Sequence, residues 1–259
     1  MPLPTFLIIG AQKSATRWLR THLGEHPEVF TPDTEPSFFN YNPRFEQGLD
    51  WYRTLFEGWD GEPIVGEATP AYMMWRGLMW RGDPARTADR IDESLPGVRL
   101  IALLRNPVDR AYSAFIHHMW RGRIPPDADL LERVRSVAPE HDKLGLIEGG
   151  WYAESLTPYF ARFGERLRVF LHDDVVENPE QTYAHALEHI GASPGFVPPE
   201  LERVLFSRKP SKNSAYHEDK GGRRKLTSAE RAEIYAYFRR DVERLEEMLG
   251  RDLSAWRPS

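Results

Sequence analysis

The chain alternates short unbroken apolar runs with stretches in which apolar residues recur every three or four positions. The run from Thr5 to Ile9, ending on Gly10, predicts a buried parallel strand that feeds a tight loop. Ala15, Leu19 and Leu23 follow at i, i+4 and i+8 and predict a helix that stops before Pro27. Further strands are expected at Pro63 to Gly66, Val98 to Leu104 and Leu167 to His172, the second being the most apolar and therefore the best candidate for the sheet centre. Asn106 before Pro107 reads as a cap and first turn, opening a helix through Ala111 and Phe115. Asn178 and Pro179 repeat that grammar for a helix carrying Tyr183, Leu187 and Ile190 and closed by Gly191. Tyr152, Leu156, Tyr159, Phe160 and Phe163 share one helical face, as expected of a helix packed on the sheet. Thr227 with Glu230 three residues on forms a capping box for one last helix, with the stripe Ile234, Phe238, Val242, Leu245 and Leu249. The segment from Arg121 to Gly150 is rich in Pro, Gly and charge, and reads either as a lid or wall over a site or as an ordinary surface loop. The alternation predicts an α/β fold in three layers, a mostly parallel central sheet flanked by helices, forming a single domain over residues 1–259. Ligands of such sheets bind beyond the carboxyl ends of the strands.

Composition narrows the chemistry. With 41% hydrophobic and 28% charged residues and a mean hydropathy of -0.56, the 259-residue chain has the make-up of a soluble globular protein. A formal net charge of -5 argues against a nucleic acid or other polyanion as partner, so any anion site must be local. The chain has no cysteine, which excludes disulfides, thiolate metal sites and cysteine nucleophiles. The apolar run from Phe6 to Ala11 is far shorter than the roughly 20 residues of a membrane span and lacks a basic leader, so a cytoplasmic enzyme is expected.

Three places look built for anions. Gly10-Ala11-Gln12-Lys13-Ser14-Ala15-Thr16-Arg17 lies where a strand turns into a helix, so backbone amides and the helix N-terminus converge there and Lys13 adds a full charge. This is not the nucleoside triphosphate signature G-x-x-x-x-G-K-[ST], and a plain βα turn with a solvated lysine is the alternative. After the apolar strand, Arg105 emerges on the ligand side and Ser113, two turns into the next helix, could donate to the same group, whereas a surface ion pair is the bland reading. The third place is Lys220-Gly221-Gly222-Arg223-Arg224-Lys225, whose glycines permit close backbone approach and which otherwise is a solvated charged loop.

Six stretches together carry a resemblance: FLIIGAQKSATRWL (6–19), EPSFFN (35–40), GLDWY (48–52), EATPAY (67–72), LLRNPVDRAYS (103–113) and KGGR (220–223). On these the chain resembles the P-loop-like sulfotransferase superfamily, and within it the heparan sulfate sulfotransferase branch with its bacterial relatives. The resemblance implies 3'-phosphoadenosine 5'-phosphosulfate as co-substrate, no metal, and a small or medium-sized acceptor: a hydroxyl, or less readily an amine, of a carbohydrate, lipid-linked or natural-product molecule. It implies that Lys13 and the amides of Ser14, Ala15, Thr16, Arg17 and Trp18 hold the 5'-phosphosulfate, with Lys13 neutralising the leaving oxygen. Arg105 and Ser113 then bind the 3'-phosphate, and Lys220, Gly221 and Arg223 form a late loop over the nucleotide. Glu35 fills the position of the family's base, and Pro36 after it biases its backbone to an extended form. The segment 121–150 becomes a candidate acceptor wall.

Two departures stand out. Ala68 occupies a position held by lysine in a heparan-type relative, which removes a charge useful toward a polyanionic sugar, and Ser14-Ala15-Thr16 replaces commoner glycines. His117, one turn after Ser113, is the fallback base, although a hydrogen-bonded surface histidine is the plainer expectation for it and for His118. Trp51, Tyr52, Tyr72, Trp75 and Trp80 offer rings for stacking on an acceptor if they are not core. A P-loop-type small-molecule kinase and a non-catalytic nucleotide-binding module are the alternatives; the kinase lacks the triphosphate signature and an evident metal-binding aspartate.

Overall fold

The computed structural model describes residues 1–74, 82–202 and 224–258. Strands β1 (Phe6–Gly10), β2 (Val29–Phe30), β3 (Ile64–Ala68), β4 (Arg99–Leu104) and β5 (Leu167–Leu171) form a sheet in the order β2-β3-β1-β4-β5. All pairings are parallel, with Phe6 opposite Gly66 on one side and Arg99 on the other. Among the described residues the helices are α1 (Thr16–Leu23), α2 (Asn42–Phe45), α3 (Gly48–Thr54), α4 (Pro84–Ser94), α5 (Pro107–Trp120) and α6 (Leu130–Ser136). They continue as α7 (Tyr152–Phe163), α8 (His172–Glu177), α9 (Pro179–Ile190), α10 (Ser228–Tyr235) and α11 (Arg239–Leu249).

The period-two alternation of β1 explains why helices cover both faces. Leu7 and Ile9 point into a core shared with α4, α5, α7, α10 and α11, while Phe6 and Ile8 point into a second core against α1 and α9. The loop after β1 therefore leads to one face and the loop after β4 to the other, which makes the gap between their carboxyl ends a topological switch point.

Most expected elements are present, with informative shifts. The strand expected at 63–66 runs on to Ala68 because Ile8 pairs with Ala68, drawing the EATPAY stretch into the sheet edge of the switch region. His172 does not end a strand but opens α8, whose first turn is fixed by the Leu171 N–H donating to Asp174 Oδ2 at 2.9 Å. Asn106 caps α5 through its Oδ1, which accepts from Val108 N–H at 3.0 Å, and Gly191 ends α9 in the left-handed conformation. The single last helix is instead two. Its capping box forms, and Ile234, Phe238, Val242 and Leu245 are buried as expected, but the Tyr237 carbonyl accepts the Trp151 indole N–H at 3.0 Å while the Tyr237 and Phe238 amides close tighter i−3 turns.

Residues 121–150 are tied to the body. Ile124, Leu130, Val134, Leu144, Leu146 and Ile147 are buried in the main core. The fully buried Arg110 guanidinium reaches across to donate to the Gly145 carbonyl at 2.9 Å and to the Leu146 carbonyl.

Candidate functional site

The loop after β1 sits at the switch point. Ala11 N–H donates to the Leu103 carbonyl of β4 at 2.7 Å, and Ser14 N–H donates back to the Ala11 carbonyl at 3.2 Å, closing a turn. Lys13 (φ 74°) and Ala15 (φ 71°, ψ 14°) adopt left-handed backbone on either side of the buried Ser14. Left-handed residues interleaved in this way turn successive amides toward a common point, the arrangement that favours an anion. The first turn of α1 adds the amides of Thr16, Arg17 and Trp18, which have no partner within the helix. Glycine would adopt these φ values without penalty, whereas Ala15 carries a methyl that is buried in the second core.

Arg105, at the end of β4, lies against this loop, its Nη1 donating to the Lys13 carbonyl at 3.5 Å. Its own carbonyl accepts from the Tyr152 hydroxyl at 2.9 Å, which fixes the strand end on α7. The two residues that the resemblance assigns to opposite ends of the nucleotide are therefore neighbours on one side of the molecule, joined at the Lys13 carbonyl. His172, the first residue of α8, is held neutral to low pH: burial, and then the Arg105 charge, push it down to about 4. Ser113 is half-buried on α5, and among the described residues no hydrogen bond joins it to Arg105.

In front of the loop a cavity of about 300 Å³ is lined by Thr16, Arg17, Arg20, Asp33, Glu35, Ala68 and Pro70. Glu35, on an exposed stretch after β2, is thus brought to the N-terminus of α1 from nineteen positions along the chain beyond Thr16. Its loop is pinned from several directions. Arg20 Nη1 donates to the Pro32 carbonyl at 2.8 Å and its Nη2 pairs with Asp33 at 3.3 Å, while Arg44 donates to the carbonyls of Glu35 and Pro36. Ser37 takes left-handed backbone (φ 47°), with its N–H donating to Thr69 Oγ1 at 3.1 Å.

Beneath this wall Glu67 is fully buried. Its Oε1 accepts from Tyr72 at 2.6 Å and Tyr52 at 3.1 Å, and its Oε2 from Thr69 at 2.9 Å. Burial pushes this carboxyl up to about 7 against the opposing pull of the three hydroxyls, and the Glu35 charge adds to the rise.

The structure brings Lys13 to Trp18, Arg105 and Glu35 together. Lys220, Gly221 and Arg223 lie outside the described residues, as do Trp75 and Trp80. Arg224 is committed elsewhere, paired with Asp129 and Glu230 at 2.7 Å each. His117 and His118 are buried rather than on the surface; His118 accepts no role at the cavity, its Nε2 lying 3.2 Å from the Leu144 carbonyl. Tyr52 and Tyr72 are wholly buried in the Glu67 network, and Trp51 packs on Phe38, so these rings are core rather than stacking surfaces. Arg20, Asp33 and Glu67 escaped the sequence reading. Arg20 had a signal, standing one helical turn after Arg17 on the same side of α1.

Residues 3–225 match the sulfotransferase domain family. The chain belongs to that family. Membrane-associated sulfotransferase kil1 of Dictyostelium discoideum is 32% identical over 130 residues, covering 48% of this chain and 26% of that protein. Heparan sulfate glucosamine 3-O-sulfotransferase 3B1 of Mus musculus is 34% identical over 162 residues, covering 62% of this chain and 39% of that protein. The chain thus spans less than half the length of these curated relatives. Among solved structures, a sulfotransferase from Alicyclobacillus acidocaldarius superposes with a TM-score of 0.78 at 27% identity over 99% of both chains. Mouse sulfotransferase SULT7A1 complexed with PAP shares the fold, with a TM-score of 0.56 at 11% identity over 92% of this chain and 84% of that one. The P-loop-like sulfotransferase fold expected from the sequence is the fold observed. Among the described residues no helix is long and apolar enough to cross a membrane, and no group of three acidic or histidine side chains is placed to hold a metal ion.

Proposed function

We propose that this chain transfers the sulfuryl group of 3'-phosphoadenosine 5'-phosphosulfate to a hydroxyl of a carbohydrate, lipid-linked or natural-product acceptor. The observation that carries the reading is the cavity that Glu35 shares with the N-terminus of α1, next to a loop against which Arg105 packs. The loop amides and Lys13 hold the 5'-phosphosulfate, Arg105 with Ser113 holds the 3'-phosphate, and Lys220, Gly221 and Arg223 close over the nucleotide. The ion pairs of Arg224 favour Arg223 for that last contact.

In the reaction the acceptor oxygen attacks sulfur in line with the bridging oxygen of the phosphosulfate. The new S–O bond forms as the bond to the 5'-phosphate breaks, Glu35 takes the acceptor proton, and Lys13 neutralises the charge left on the phosphate. Like phosphoryl transfer, the step depends on positioning and charge stabilisation rather than on a covalent enzyme intermediate. A cavity of about 300 Å³ suits one sugar-sized acceptor group, and Ala68 gives its wall a methyl where a lysine would add charge. Arg17 and Arg20 facing Asp33 and Glu35 make a wall of mixed sign, which favours a neutral or singly charged polyhydroxyl acceptor.

Transfer of labelled sulfate to a panel of a glucosaminyl oligosaccharide, a polyol, a phenol, a fatty alcohol and water tests the reaction. Glu35→Gln is expected to keep donor binding and lose about 10²–10⁴-fold in turnover. Lys13→Ala and Arg105→Ala are each expected to weaken calorimetric affinity for adenosine 3',5'-bisphosphate by about 10- to 100-fold, the loss of a charge-assisted bond. Unchanged affinity in both variants, or full turnover in Glu35→Gln, would remove the corresponding assignment.

A further inference from the structure

We infer that Glu67 is a positioning residue, which sets the Glu35 turn through two hydroxyl relays that end on the amides of Ser37 and Phe38. The inference rests on the reading of Glu35 as the base. Glu67 does not reach the cavity: on β3 it alternates with Ala68, and Ala68 is the one that lines it.

The relays follow from counting donors. The Glu67 carboxyl oxygens accept from the hydroxyls of Thr69, Tyr72 and Tyr52, so each of those hydroxyls spends its single hydrogen there. Their lone pairs are then left to accept, and two of them do. Thr69 Oγ1 takes the Ser37 N–H at 3.1 Å, and the Tyr72 hydroxyl takes the Phe38 N–H at 3.3 Å. These two amides belong to the turn immediately after Glu35, where Ser37 holds a left-handed φ of 47° that a side-chain-bearing residue does not keep unaided. Phe38 and Phe39 anchor the far side of the turn by complete burial against Tyr52 and Tyr72. With the carboxylate gone, nothing fixes which way the hydroxyls point, and the turn loses both amide anchors at once.

Because the relays act on the turn rather than on the nucleotide loop, breaking them should lower turnover without lowering donor affinity. The tests are Thr69→Val, Tyr72→Phe and Glu67→Gln, with Thr69→Ser as the variant that restores the relay hydroxyl. Turnover is measured with whichever panel acceptor serves the unmodified protein best, water included, and nucleotide affinity is read by calorimetry with adenosine 3',5'-bisphosphate. Amide hydrogen exchange at Ser37 and Phe38 reports the turn itself. Thr69→Val, Tyr72→Phe and Glu67→Gln are expected to cut kcat at least tenfold and leave nucleotide Kd within twofold, with exchange sped at Ser37, at Phe38 and at both, in that order; full turnover in Glu67→Gln would overturn the inference. Thr69→Ser is expected to return kcat to within threefold. Overturning results are kcat unchanged in both single-hydroxyl variants, kcat and nucleotide affinity falling in step, or failure of Thr69→Ser to restore turnover. Glu35→Gln run alongside separates the two readings: if it stays active the base assignment fails, whereas if it is inactive while Thr69→Val is active, only the positioning role fails.

Discussion

At the scale of single residues, Lys13 and Arg105 sit where the chain turns, at a strand-to-helix loop and a strand end, whereas Glu35 is singled out by the EPSFFN resemblance alone. Glu67 carries no local signal, because its meaning lies in three hydroxyls contributed by α3, by the segment after β3 and by the turn from Pro70, which only the fold assembles. The buried histidines are another case, and they carry a pH dependence. Burial first, and Arg123 next, push His118 from 6.5 down to about 4. Between those values the unfolded chain binds the proton and the folded one does not, so this contribution to stability is present above pH 6.5 and is lost as pH falls toward 4. Glu67 works in the opposite sense, since a carboxyl raised from 4.5 to about 7 withdraws stability as pH rises through that window. The comparison that isolates His118 is therefore between variants. Urea unfolding of His118→Gln should lose less stability between pH 7 and pH 5 than the unmodified protein, by on the order of 1 kcal/mol. An identical loss would mean that His118 is protonated in the folded state.

At the scale of elements, long periodic segments were legible and short ones were not. β2, with two residues, and α8, with six, carry too few positions to show a period, and they exist because neighbours complete their hydrogen bonds. The break between α10 and α11 was invisible for a different reason: the apolar stripe runs straight through it, and the Trp151 indole N–H that donates to the Tyr237 carbonyl comes from far along the chain. One strand contact has a sharp consequence. A Cβ on Gly66 would lie 2.2 Å from the ring of Phe6, its register partner in β1, and that ring is wholly buried with no room to retreat. Gly66→Ala is expected to destabilise the protein by about 1–3 kcal/mol, the usual cost of overpacking. Adding Phe6→Leu should recover part of it, measured by chemical denaturation. Since β1 delivers the Lys13 loop and β3 delivers Ala68 to the cavity, the single variant should also bind nucleotide more weakly than the pair.

At the scale of the whole molecule, most strands were readable but their order was not, because parallel pairing joins residues thirty-five or more positions apart and leaves no local trace, and β1 rather than β4 is the central strand. The order β2-β3-β1-β4-β5 is what places the ends of β1 and β4 side by side, so that loops running to opposite faces flank one switch point. A nucleotide phosphorylated at both the 3' and 5' positions would bridge those loops, and one without the 3'-phosphate would engage the β1 loop while leaving Arg105 unused. Binding to the folded state alone adds about 2.7 kcal/mol at a hundred times Kd. In a chain of this size each kcal/mol is worth about 2–4 °C, so adenosine 3',5'-bisphosphate should raise Tm by about 5–10 °C. ATP with magnesium at the same concentration should do markedly less, and Arg105→Ala should bring the two ligands together by reducing the bisphosphate shift alone. A larger shift with ATP and magnesium would instead favour the kinase reading, in which the β1 loop cradles a triphosphate and Arg105 serves only to support the Lys13 carbonyl.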